Sequence, residues 1–238
     1  TGDAREKLIV SCAAGTAPDA TQVSVAFGRE LYTKGIFLTL NSFIDRDGQA
    51  LWNDRFPISR VYAEKDGAIF GIPHDLASTG LVYDVDAFAS AGLDPDPFAI
   101  GNWVALREAA KKLTRSQDGA VTRYGLAGGI GWEQSLAYWL AANGAAIYSP
   151  DFRRITVNSP QAKEAVEYVM ELQFGLGVLG GTIDSGTAAM QSDYGTFASL
   201  SLELARPDLT FRMTSMPPGP SGQQRTTVTW SNMVSVVR

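Results

Sequence analysis

Phe70-Gly71-Ile72-Pro73-His74-Asp75-Leu76, followed five residues on by Leu81-Val82-Tyr83-Asp84-Val85-Asp86-Ala87-Phe88-Ala89-Ser90-Ala91-Gly92-Leu93, is the stretch that decides the fold. An apolar run reaches a proline, a polar patch follows, and a β-rich segment leads through Asp84 into a short helix stopped by Gly92. Proline has no N–H to give to a ladder, so ordered pairing is expected to end at Pro73. The patch His74-Asp75-Leu76-Ala77-Ser78-Thr79 then falls where two strand-like pieces meet, as a crossing between two lobes would.

Outward from this point, strand and helix patterns alternate. On the N-terminal side, Leu8 and Cys12 share one face of a helix that Gly15 ends. Thr21, Val23 and Val25 alternate as in a strand, although Asp19 with Gln22 also spells a helix capping box; the strand is the reading adopted. A helix from Phe27 to Lys34 closes at Gly35, residues 36–44 form an apolar turn, and residues 45–56 read as a polar loop. Arg60-Val61-Tyr62-Ala63 and residues 68–72 flank Lys65-Asp66-Gly67, a hairpin signal.

On the C-terminal side, Asn102 caps a helix carrying Trp103, Leu106, Ala110 and Leu113 on one face. Residues 124–127 and 155–157 read as small strands. Residues 132–143 read as a helix stopped at Gly144. Ser159 and Pro160 open another, with Ala162, Ala165, Val166, Val169 and Leu172 as its stripe. Residues 188–190 and 211–213 suggest strands and residues 197–204 a helix. Met216-Pro217-Pro218-Gly219-Pro220-Ser221-Gly222 is the strongest breaker cluster, and strand-like residues 228–230 and 234–237 close the chain. Such alternation predicts an α/β architecture with a mixed or parallel sheet. The two breaker zones assign residues 1–76 and 217–238 to one lobe, left incomplete, and residues 77–216 to the other.

Bulk composition narrows the function classes. The 238 residues are 45% hydrophobic and 19% charged, with a net charge of −5, the profile of a globular protein. That acidic balance argues against nucleic acid, which needs clustered positive charge. One cysteine, Cys12, and one histidine, His74, exclude an internal disulfide and any multi-cysteine or His-rich metal site. No apolar run approaches the roughly 20 residues of a membrane span, and the opening residues are too polar for a signal peptide. There is no Gly-x-Ser-x-Gly, no P-loop and no helix-opening Gly-x-Gly-x-x-Gly. No catalytic residue, cofactor or metal is expected.

Five separated stretches resemble the carbohydrate-type extracellular solute-binding proteins (family 1) of ABC importers, in that family's order. They are Ala13-Ala14-Gly15-Thr16-Ala17-Pro18-Asp19, Gly35-Ile36-Phe37-Leu38-Thr39-Leu40, the helix opening at Asn102-Trp103, Gly186-Thr187-Ala188-Ala189-Met190, and Pro217-Pro218-Gly219-Pro220. Thr39 stands where the family usually has proline, and Asn102 replaces its capping threonine. The resemblance implies a two-lobed periplasmic-binding-protein-like (type II) fold with hinge crossings between the lobes. It also implies that the opening residues are the end of the family's first helix and that the chain is a fragment lacking both ends.

What the resemblance implies about function is capture of a mono- or oligosaccharide between the lobes by a periplasmic or extracellular, membrane-associated monomer. The partners would be the permease subunits of an ABC importer. A glycerol-phosphate or polyol ligand is the alternative, and a thiaminase-like enzyme on the same fold, using Cys12, is the rival.

Sugar capture needs aromatic faces for the C–H side of a pyranose and polar groups for its hydroxyls. Trp132, with Glu133 beside it, follows a glycine-rich loop and opens a helix; it reads either as a ligand platform or as packing. Trp230, in the return crossing, carries the same two readings, as does Trp52 in its loop. Trp103 and Trp139 lie in helical stripes and read as core. Asp75 reads as a hydroxyl acceptor or as a turn residue, and His74 as a ligand donor or a structural hydrogen bonder. Ser78 belongs to the same polar crossing. By the resemblance, Ser24 at the end of its strand faces ligand, and Tyr194 substitutes for the family's tryptophan, whose place Thr196 occupies.

Overall fold

The computed structural model describes residues 2–238 except Pro97, Trp132 and Phe152, and among the side chains leaves out those of Asp3, Ala26 and Glu133. It separates into two compact units, residues 1–77 with 229–238, and residues 78–228.

In the first unit, helix α1 (Gly2–Ala13) buries Leu8 and rests Cys12 against the core, and Gly15 turns the chain at φ +67°. Strand β1 (Ala20–Ser24) follows, so β-branched alternation prevails over the capping-box pattern. It leads into α2 (Val25–Thr33). Residues 45–56 are not a loop. Short helical turns at α3 (Asn41–Phe43), a π-helical segment (Ile44–Gly48) and α4 (Gln49–Asn53) bury Ile44 and Trp52.

Residues 60–63 are not a strand either. Pro57, pre-set for a helix start, opens α5 (Pro57–Ala63), whose Ser59 and Ala63 are buried one turn apart. The hairpin is correspondingly shorter, β2 (Glu64–Lys65) against β3 (Ala68–Ile69). Its turn residues Asp66 and Gly67 both have positive φ, 51° and 79°, which is what a two-residue primed turn demands. Strand β4 (Ile72–Pro73) ends its ladder at the proline, as expected, with Pro73 facing Met233 in the last rung. The proline sits on an edge strand, where a missing N–H removes no necessary bond.

The second unit begins within β5 (Ala77–Asp84). Asp84 accepts the N–H of Ala87 and caps α6 (Val85–Ser90). Asn102 does the same for Ala105 at α7 (Trp103–Leu113). A hairpin that the sequence reading passed over, β6 (Arg115–Gln117) with β7 (Ala120–Arg123), turns on Asp118 and Gly119, again both at positive φ. Residues 124–127 and 155–157 make only isolated bridges rather than ladders.

Helices α8 (Glu133–Ala142) and α9 (Pro160–Met170, continued by a π-helical segment, Glu171–Gly175) pack on α7. Trp103 meets Trp139 edge-on at 5.4 Å and Tyr168 face-on at 4.5 Å, so both tryptophans are core as expected. Strand β8 (Met190–Gly195), α10 (Thr196–Ala205) and β9 (Phe211–Thr214) complete the unit, with β8 and β9 antiparallel to β5 on either side.

Residues 217–228 lie in the second unit rather than the first. The N–H of Gly219 donates to Ala142 O at 2.9 Å and that of Ser221 to Asn143 Oδ1 at 3.0 Å. Arg225 donates to Ser215 O, Phe98 O and Ile100 O. The breaker cluster therefore ends strands without ending the unit. The chain returns at β10 (Thr229–Trp230) and runs as β11 (Asn232–Val236) between β1 and β4.

Candidate functional site

At one end of the first unit's sheet, β1, β4 and β11 bring five polar residues together. Ser24 is the register partner of Asn232. Asp75 Oδ1 accepts the main-chain N–H of Asn232 at 2.5 Å, and Oδ2 accepts its side-chain amide at 2.7 Å. Ser231 Oγ donates to Asp75 O at 2.6 Å, and His74 N donates to Asn232 O at 3.1 Å. The carboxylate of Asp75 is thus a clamp between the outgoing and returning segments, with lone pairs to spare for a further donor. The imidazole of His74 is exposed, its Nδ1 3.9 Å from Asp75 Oδ2. Trp230 is half-buried, two residues before Asn232.

Ser231 and Asn232 escaped the sequence reading. Their only signal is a polar pair directly after a tryptophan in an otherwise apolar strand.

In the second unit, Ser78 N donates to Thr196 Oγ1 at 3.4 Å, joining the start of β5 to the start of α10. Tyr194 does not offer a stacking face. It is 3% exposed, packed with Val82, Ile183 and Leu202. Its hydroxyl donates to Asp184 Oδ1 at 2.6 Å and lies 3.2 Å from Ala198 O. Burial and the neighbouring Asp184 carboxylate push its pKa up. The reason is strand alternation: Met190, Ser192 and Tyr194 point inward on β8.

What β8 presents instead is Asp193, a residue the sequence reading did not single out. The ladder with β5 slips between Gly80 and Val82, and Asp193 takes up the slack at φ +56°. Such a bulge re-aims a side chain. Oδ2 accepts a 2.5 Å hydrogen bond from Ser135 Oγ in the first turn of α8, while Oδ1 is sealed from solvent with no hydrogen-bond partner of good geometry among the described residues. Desolvation raises the pKa of this carboxyl, against the hydrogen bonds from Ser135 and Thr79.

Trp132 lies outside the described residues, as does the side chain of Glu133, whose backbone opens α8. Of two shallow hollows, about 560 Å³ along α1 and about 420 Å³ beside Trp52, the second is lined by Trp52, itself buried, and neither contains another of the expected site residues. Cys12 is half-buried against the first unit's core. Among the described residues, no group of three or more His, Cys, Asp or Glu side chains could hold a metal ion. No helix there is long and apolar enough to cross a membrane. The chemistry offered is hydrogen bonding from serine, amide and carboxylate groups.

A family model described as bacterial extracellular solute-binding protein matches residues 1–200. The chain belongs to that family. Among solved structures, the fold is similar to the ABC substrate-binding protein Lmo0181 from Listeria monocytogenes in complex with cycloalternan (TM-score 0.84, 22% identity, covering 98% of this chain and 60% of that one). It is also similar to the maltose/maltodextrin-binding domain MalE from Bdellovibrio bacteriovorus bound to maltotriose (0.82, 18%, 100% and 61%). A third similar structure is a solute-binding protein from Thermotoga lettingae TMO bound with α-D-tagatose (0.81, 20%, 98% and 61%).

This solute-binding chain therefore has the α/β fold of the two-lobed periplasmic binding proteins, and it spans about 60% of the length of these chains. A search of the curated proteins finds no match.

Proposed function

We propose that the chain is the ligand-capturing part of an extracytoplasmic sugar-binding protein that hands a mono- or oligosaccharide to the permease of an ABC importer. The observation that carries this reading is a fold likeness over nearly the whole chain to proteins seen with cycloalternan, maltotriose and tagatose. Family membership supports it. So does the chemistry of Ser24, His74, Asp75 and Asn232 in one unit and of Ser78 and the first turn of α8 in the other, which suits a neutral, hydroxyl-rich ligand.

Trp230 and Trp132 are the proposed aromatic contacts, with Glu133 beside the latter. The working protein is proposed to be a monomer at the outer face of the membrane, held there by a segment other than these elements.

Titration with maltotriose, D-tagatose and glycerol 3-phosphate, read by tryptophan emission and by melting temperature, tests the reading. A saturable change with either sugar supports it. A response to glycerol 3-phosphate alone replaces it with the polyol-phosphate reading. No response to any of the three, together with rapid labelling of Cys12 in the folded protein, favours the enzyme rival.

A further inference from the structure

Asp193 occupies a costly position. A non-glycine residue at φ +56° is held in the left-handed region, a strain that persists only where surrounding structure enforces it. Its carboxylate is also desolvated, and Oδ1 has no hydrogen-bond partner of good geometry among the described residues. A fold that needed only a bulge at this point would be better served by glycine. Two hydrogen bonds offset these costs, the short one from Ser135 and a lesser one from Thr79. Hydrogen bonds to an ionised carboxylate are about twice as strong as neutral ones.

Among the described residues, the elements around Asp193 offer no other charge to answer it. From β5 comes Thr79, whose hydroxyl also donates to Val228 O at 3.2 Å. From α8 come Ser135 and, one turn on, the fully buried Tyr138, whose pKa the Asp193 charge helps to raise. Arg225 acts on Tyr138, but its guanidinium is engaged by Thr214, Ser215, Phe98 and Ile100. Among the described residues, the Ser135 hydroxyl is thus the group through which this carboxylate holds α8.

We propose that Asp193 is a positioning residue for ligand binding, a latch that holds the first turn of α8 against the β8 bulge through Ser135. The latch sets where α8 begins relative to the residues that run from β8 into α10. Proton uptake by Asp193 converts its charged bond to Ser135 into a neutral one and loosens the latch. The affinity arm of this inference rests on the sugar-binding reading; the latch itself does not.

The test compares the chain with its D193N, D193G, S135A and S135A/D193G variants. Glycine keeps the backbone conformation and removes the bond, whereas asparagine keeps an acceptor and removes the charge. Without ligand, amide hydrogen exchange over residues 134–138 is expected to accelerate roughly tenfold in D193G and S135A, with the double variant no faster than either single one. With maltotriose, the wild-type affinity is expected to fall as the pH is lowered from neutral to mildly acid, and D193N to give a weaker affinity that is flat with pH. Unchanged exchange in D193G and S135A overturns the latch whether or not any sugar binds. Altered exchange with no sugar binding upholds the latch and rejects the sugar reading. A wild-type affinity profile matching that of D193N overturns the proton-dependent part.

Discussion

Asn232 donates both its main-chain and its side-chain N–H to Asp75, one to each carboxylate oxygen. This pair fastens the segment leaving the first unit to the segment returning to it. Asp75→Ala would leave both donors of Asn232 without this acceptor, at a cost of about 1–3 kcal/mol. Asn232→Ala, which keeps the main-chain bond, is expected to cost less. Urea unfolding of the two variants checks the order; equal costs would show that the side-chain bond carries the whole effect.

Gly125 approaches α7 so closely that a Cβ would lie 1.8 Å from Ala110 O, a backbone atom that cannot swing aside. Gly125→Ala is therefore expected to destabilise by about 3 kcal/mol or more. Gly101, with nothing within 4 Å of the equivalent position, is the control, and Gly101→Ala should stay within about 0.5 kcal/mol. Melting temperatures of the two variants give the comparison.

Asn143 is fully buried and gives its amide N–H groups to Gln161 O and Glu164 Oε2, both at 2.8 Å, while its Oδ1 accepts the N–H of Ser221. Asn143→Ala orphans these partners and is expected to cost about 2–3 kcal/mol. Because the loss releases residues 217–222 first, limited proteolysis should cut there before elsewhere in the second unit. Cleavage at other loops first would contradict this.

The folded chain holds the Asp193 carboxyl above its ordinary pKa, chiefly because burial penalises the charge. As the pH falls, the folded state takes up this proton before the unfolded state does. This group's contribution to stability therefore rises as the pH drops from the raised value to the ordinary one. Asp193→Asn mimics the protonated form. It should be more stable than wild type at neutral pH, the difference closing in acid. A difference that widens in acid would refute this assignment.

Local chemistry made much of the fold legible. The caps Asp84, Asn102 and Ser159 and the helix stripes need only neighbours within a turn, and each stands where the sequence places it. The hairpin on Asp66-Gly67 was legible for the same reason. The twin signal at Asp118-Gly119 was passed over because its flanking strands are exposed and lack apolar alternation. Residues 217–228 misled because their fate depends on distant partners, Ala142 and Asn143.

The site was harder to read. The sequence reading singled out Asp75 and Ser24 as candidates, yet their neighbour Asn232 lies more than 150 residues away in sequence from Asp75. Tyr194 was read as a platform, but alternation along β8 turns it inward with Met190 and Ser192, and which face of β8 is covered depends on partners distant in sequence.

The indole nitrogens of Trp103 and Trp139 are buried and lack hydrogen-bond partners, their rings locked against each other and Tyr168. Indoles held in such dry, rigid surroundings emit at short wavelength and give strong near-ultraviolet circular dichroism. The second unit therefore carries a built-in optical standard: its persistence distinguishes a variant that has lost a contact from one that has lost its tertiary order.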